Sequence, residues 1–114
     1  MQVLVEQLQQ LGFDVDLSFA QHNVVVINNY EIRVGRHSGK RVRVGIPGQD
    51  FPFAAPAGLH FSPHLAANGV ANVSQSPLGA DWQYWSRRLQ DWKESDRNAR
   101  HVISYINRVV LNGG

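Results

Sequence analysis

The sequence predicts an α+β domain in which a run of strands lies between an N-terminal helix and C-terminal helices. Residues 40–46 alternate apolar and basic side chains, which is typical of a half-buried strand. Residues 99–110 repeat apolar side chains at helical spacing, which predicts an amphipathic helix. The chain has 114 residues, of which 43% are hydrophobic and 18% charged, so we expect a single globular domain over residues 1–114.

The first predicted element is a helix over residues 2–11. Leu4, Leu8 and Leu11 follow the i, i+4, i+7 spacing of one helical face, and Gly12 is a typical C-terminal stop.

Four strands are predicted next, forming an antiparallel meander. In the first, Val15, Leu17 and Phe19 should point inward, and the second should be bulged or broken at Asn28-Asn29. In the third, Val42, Val44 and Ile46 should point inward, while Arg41 and Arg43 point outward. The predicted strands are residues 15–20, 23–34, 40–46 and 57–61.

Residues 51–85 read as a long irregular connection. They contain four prolines and an Asn68-Gly69 turn, which interrupt regular structure. Their apolar content is nevertheless too high for a solvated linker, and an ordered irregular segment of this kind is usually functional. The side chains expected to be buried are Phe51, Phe53, Leu59, Phe61, Leu65, Trp82 and Trp85.

Two helices should complete the chain. Asp81 is the expected N-cap of a short helix over residues 82–92, and Ser95 or Asp96 should cap the last helix. The apolar face of the last helix should consist of Ala99, Val102, Ile103, Ile106, Val109 and Val110. The final Gly113-Gly114 can be read as a helix stop, a linker or the tail of a conjugated modifier.

The sequence lacks the residues that several kinds of chemistry require. The chain has no cysteine, hence no thiolate nucleophile and no cysteine-bound zinc. The five histidines lack metal-ligand spacing, and Ser74 and Ser76 lack a nucleophile-elbow motif, so we expect neither a metal, nor a cofactor, nor a serine hydrolase. His60 is expected to face solvent or to form a sheet-edge hydrogen bond.

Composition also narrows the partners and the compartment. A net charge of +2 does not indicate nucleic-acid binding. No apolar run approaches the length of a membrane span, and the first residues lack signal-peptide features. We therefore expect a cytoplasmic protein with neither a nucleic-acid nor a membrane partner.

Basic residues form two groups with open interpretations. The first, which we call the basic hairpin, either keeps a sheet edge soluble or attracts an acidic partner. The second, Arg87-Arg88, should pack against the tryptophans through cation–π contacts. The basic hairpin consists of Arg33, Arg36, His37, Lys40, Arg41 and Arg43.

The order of elements, together with several short motifs, resembles the ubiquitin-conjugating enzyme (UBC-like) fold. Residues 51–56 (FPFAAP) resemble the family's Y/F-P-x-x-P-P corner, and residues 62–65 (SPHL) lie where its H-P-N turn would be. Residues 68–73 (NGVANV) resemble the N-G-x-I-C-L active-site strand, which places Asn72 at the position of the family cysteine. Residues 82–88 (WQYWSRR), with Trp92, are similar to conjugating-enzyme-like families found beside bacterial ubiquitin-like operons.

The resemblance implies a catalytically inactive variant, because an asparagine cannot form the thioester that the family carries on cysteine. Its implied function is a non-catalytic binding or scaffold domain in a bacterial ubiquitin-like system. The implied partners are a ubiquitin-like protein, an activating enzyme or a sister subunit. An alternative is an unrelated α+β adaptor or structural domain with no ubiquitin-like partner. The residues expected to bind are Leu65, Asn68, Val70, Asn72, Val73, Leu78, Arg36, Lys40, Arg41 and Arg43.

Overall fold

A computed structural model describes residues 1–67, 69–89 and 91–113 of the chain. Helix α1 (Gln2–Gln10) comes first and buries Leu4 and Leu8, as its apolar spacing predicts. It ends at Gln10, one residue before the predicted end, and the predicted stop Gly12 follows with a φ of 91°, a left-handed conformation that glycine adopts without strain. The second long helix, α2 (Ala99–Gly113), ends the described part of the chain.

Between the helices lies one antiparallel sheet in the order β1-β2-β3-β4-β6-β5. The α+β class, with an N-terminal and a C-terminal helix, is therefore confirmed. The prediction of four strands is wrong, because two three-residue strands extend the sheet beyond β4. The strands are β1 (Asp14–Asp16), β2 (Val24–Glu31), β3 (Arg41–Pro47), β4 (Leu59–Ser62), β5 (Val73–Gln75) and β6 (Gln83–Trp85).

One face of the sheet packs against both helices and forms the main core. Alternate strand residues point to the same face, so Val42, Val44 and Ile46 are buried there, as predicted. Arg41 is exposed and Arg43 half-buried on the other side. The largest fully buried side chains include Trp85, Phe61, Leu4, Leu8, Ile27, Ile46 and Ile106.

The opposite face carries a second, smaller apolar cluster. Val24 and Val26 from β2 contact Leu78 and Trp82, which arrive from the connection between β5 and β6. Phe19 packs edge-on against Trp82, with 5.5 Å between the ring centroids. This connection therefore crosses the sheet edge and covers part of the face that the helices leave open.

The predicted helix over residues 82–92 is wrong, because residues 83–85 form β6 and extend the sheet beside β4. A spacing of three would place Trp82 and Trp85 on one face of a helix. Instead, Trp85 lies in the main core and Trp82 in the smaller cluster. Asp81 consequently caps no helix there.

Three further expectations are corrected. The first strand ends at Asp16, and Leu17 is 51% exposed rather than inward. Phe53, which was expected to be buried, is 84% exposed, whereas Phe51 is buried as expected. Helix α2 is capped neither by Ser95 nor by Asp96, because it begins only at Ala99.

Asn98 and Gln7 satisfy the first amides of α2. The Asn98 side-chain oxygen accepts a hydrogen bond from the amide of His101 at 3.1 Å. The Gln7 side-chain oxygen accepts one from the amide of Ala99 at 2.8 Å, so α1 directly caps α2. The predicted irregularity at Asn28-Asn29 is confirmed by a register shift between Ile27 and Tyr30.

No helix in the described ranges is long and apolar enough to cross a membrane.

Candidate functional site

Gln83 organises the segment between β4 and β5, which comprises residues 63–67 and 69–72 of the described chain. Its buried side-chain oxygen accepts hydrogen bonds from the amides of Leu65 and Ala66, each at 3.0 Å, and from the Trp85 indole at 3.3 Å. Its side-chain nitrogen donates to the carbonyl of Ala66 at 2.9 Å. One amide side chain on a short strand therefore fixes the backbone where the irregular segment begins.

Asn72 lies at the far end of this segment, directly before β5. It is exposed and has a φ of 63°, a left-handed conformation that asparagine tolerates better than most residues. Its carbonyl accepts a hydrogen bond from the amide of Ser86 at 2.8 Å. The Arg87 guanidinium donates to the neighbouring Ala71 carbonyl at 3.1 Å. Backbone contacts thus present the Asn72 side chain to solvent.

A groove of about 300 Å³ lies between the beginning of the segment and strand β5. His64 lies at its side, with Nε2 2.9 Å from the Ala80 carbonyl oxygen, a distance at which that nitrogen donates. Strand β5 lies at the edge of the sheet, and its residues Ser74 and Gln75 are exposed along the groove. The described lining residues are His64, Ala67, Gly69, Val73, Ser74, Gln75, Ala80 and Gln83.

The binding residues expected within 65–78 have different environments. Leu65 and Leu78 are 8% and 9% exposed, so their side chains anchor the segment and offer little area to a partner. Val70 and Val73 are half-buried against the core, and Asn72 is exposed. Asn68, the remaining expected residue of this group, lies outside the described residues.

His60 and Ser76 form a buried polar pair that the sequence reasoning missed. Nδ1 of His60 lies 2.8 Å from the Ser76 hydroxyl oxygen, which also accepts a hydrogen bond from the amide of Leu78. His60 is only 5% exposed, which corrects the expectation that it faces solvent. Burial lowers the pKa of His60 to about 4, and nearby His22 adds a smaller effect in the same direction. At neutral pH the imidazole is therefore uncharged, and the pair holds the β5–β6 connection on the sheet.

The basic hairpin is less uniformly exposed than its sequence suggests. Glu31 forms ion pairs with Arg33 at 3.4 Å and with Arg41 at 3.3 Å. His37 is buried, with Nδ1 3.0 Å from the Lys40 ammonium. These contacts support a role in solubility at the sheet surface, and they leave exposed cations for an acidic partner as well.

Arg43 supplies the cation–π contact seen in the described residues. Its guanidinium lies 4.7 Å from the ring centroid of Trp82 and within 3.4 Å of the Ser62 hydroxyl. The contact had been expected instead from Arg87 and Arg88. Because β3 carries Arg43 to the open face of the sheet, the side chain covers Trp82 there.

Compared with protein-family models, with curated proteins and with solved structures, the chain matches none. In the part of the chain that the structure describes, no three His, Cys, Asp or Glu side chains converge as metal ligands would.

Proposed function

We propose that this chain is a non-catalytic UBC-like domain that binds a partner protein of a bacterial ubiquitin-like system. The partner would be the ubiquitin-like protein, its activating enzyme or a sister subunit. The observation that carries the proposal is the fixed segment around Gln83, which ends in an exposed Asn72 where the family resemblance places a nucleophile.

Asn72 supports binding rather than group transfer. A thioester intermediate needs a side chain that attacks as an anion and later leaves as one, and a carboxamide does neither at neutral pH. The chain has no cysteine that could take over this role. An exposed asparagine can, however, donate and accept hydrogen bonds at a protein interface.

The rigidity of the segment also supports binding. The hydrogen bonds of Gln83, together with the His60–Ser76 pair, order the backbone before any partner arrives. A preordered surface loses less conformational entropy on association, so more of its contact energy appears as affinity. The exposed edge of β5, with Ser74 and Gln75, would supply polar contacts along the groove.

The basic hairpin would act mainly on the rate of association. Arg36, Lys40 and Arg41 are exposed, and cations at the rim of an interface steer an acidic partner more than they hold it. Neutralising these residues should lower the association rate and its salt dependence while leaving the dissociation rate nearly unchanged.

A gain-of-function variant tests the proposal. The unmodified chain, incubated with ATP, a bacterial activating enzyme and the ubiquitin-like protein of that enzyme, should bind but form no adduct that dithiothreitol removes. Asn72→Cys should form such an adduct, whereas Ser74→Cys, which places a thiol at another exposed position two residues away, should form much less.

An adduct on the unmodified chain would refute the non-catalytic assignment. Equal adducts on both cysteine variants would refute the alignment of Asn72 with the family nucleophile. Neighbouring genes without ubiquitin-related products, together with no binding to any of them, would favour the unrelated α+β adaptor.

A further inference from the structure

A second cleft lies between the segment that follows β6 and the C-terminal half of α2. It has a volume of about 290 Å³. Leu89, Tyr105 and Val109 are each less than 10% exposed and form its floor. The described lining residues are Arg87, Arg88, Leu89, Asp91, Tyr105, Arg108, Val109 and Asn112.

The charge of this cleft is strongly positive for its size. Arg87 and Arg88 approach from the segment after β6, Arg108 approaches from α2, and Asp91 is the one acidic residue among the described lining. The ion pairs in the described part of the chain involve Glu31, so neither Arg88 nor Arg108 has a carboxylate within 4.0 Å there.

Ordinary structural roles do not account for Arg88 and Arg108. A cation compensates the helix dipole when it lies in the last turn of a helix, and Arg108 lies before the last turn of α2. Both residues are exposed, so neither serves mainly to fill the core. By contrast, Arg87 has a structural role, because its guanidinium holds the Ala71 carbonyl.

We propose that this cleft binds a phosphoryl group, either as free phosphate or as a phosphate monoester. Guanidinium groups present several N–H donors in a planar fork that matches phosphate oxygens, and two elements here deliver them to one cavity. The volume exceeds the needs of a single phosphate, which leaves room for the organic part of an ester.

Tyr105 fits the same assignment. Its hydroxyl donates a hydrogen bond to the Arg87 carbonyl, and burial raises the pKa of the phenol well above its ordinary value. This hydrogen bond joins α2 to the segment after β6 across the floor of the cleft. The inference goes beyond the proposed function and is independent of it, since it concerns a different cavity.

The test is a titration of the ¹⁵N-labelled chain with sodium phosphate, glycerol 3-phosphate and succinate at constant ionic strength. Both phosphate compounds should shift the amides of Arg88, Leu89 and Arg108 with millimolar affinity, and succinate should bind at least about tenfold more weakly. Tighter binding of glycerol 3-phosphate would assign a monoester, and tighter binding of phosphate would assign the free anion.

Charge-neutral variants locate the site. Arg88→Gln and Arg108→Gln should each weaken phosphate binding about tenfold, because each removes one charge-assisted donor. Arg100 is an exposed residue of α2 outside the cleft. Arg100→Gln should change the phosphate affinity by less than about twofold, because solvent and salt screen a distant charge. The proposal is overturned by equal binding of succinate, by an equal effect of Arg100→Gln, or by no shifts at saturating phosphate.

Discussion

Replacing Gln83 with leucine should lower the free energy of unfolding by about 4 kcal/mol. The side chain makes four hydrogen bonds, to the two amides, one carbonyl and one indole described above. Leucine has a similar size but can replace none of them, and a typical buried hydrogen bond contributes about 1 kcal/mol. A domain of this length is stabilised by roughly 5–15 kcal/mol, so the loss is large but leaves a folded protein to study.

The assay combines urea unfolding with hydrogen exchange. Unfolding gives the loss of stability, and the exchange rates of the Leu65 and Ala66 amides show whether the start of the segment has become mobile. Gln75→Leu is the matched control, because Gln75 is the exposed cross-strand partner of Gln83 and should change stability by less than about 0.5 kcal/mol. A loss below about 1.5 kcal/mol for Gln83→Leu, or unchanged exchange at the two amides, would refute the anchoring role.

Three further predictions follow from the packing of the sheet. Because burial lowers the pKa of His60 to about 4, its uncharged form stabilises the fold above pH 6.5, and this contribution is lost as the pH falls toward 4. The loss between pH 7 and 4.5 should reach about 2 kcal/mol in urea unfolding, and a His60→Gln variant that keeps the same loss would contradict it. Gly58→Ala should destabilise by about 2 kcal/mol or more, since its Cβ would lie 2.5 Å from the Trp85 carbonyl oxygen, and a melting temperature lowered by less than about 2 °C would argue against this clash. Arg43→Gln should cost about 1 kcal/mol through its lost cation–π contact, whereas Arg41→Gln should cost less than about 0.5 kcal/mol, and equal losses in urea unfolding would show that the contact is not stabilising.

The sequence was sufficient where a periodic pattern runs over many residues. The alternation of β3 and the apolar face of α2 each repeat several times, so the face that enters the core is specified by the pattern itself. The irregularity of β2 was also visible, because paired asparagines disfavour a regular strand, and Asn29 takes a φ of 53°.

The same reasoning failed for the short strands. Strands β5 and β6 have three residues each, too few for alternation to be distinguished from helical spacing. The predicted helix over residues 82–92 failed here, because the chain passes from one face of the sheet to the other between Trp82 and Trp85.

The central polar residues of the site also gave no local signal. Gln83 bonds to residues 17 and 18 positions away, and His60 to one 16 positions away, so their partners depend on the tertiary structure. What the sequence did provide was the location of the segment, through its prolines, its Asn68-Gly69 pair and its aromatic content.

The most direct test of the proposed partner-binding domain is amide-shift mapping with a bacterial ubiquitin-like protein as the probe. Our account predicts shifts concentrated in residues 65–78, with Asn72 among them and with α1 largely unaffected. Shifts confined to α1, with residues 65–78 silent, would contradict the proposed binding surface.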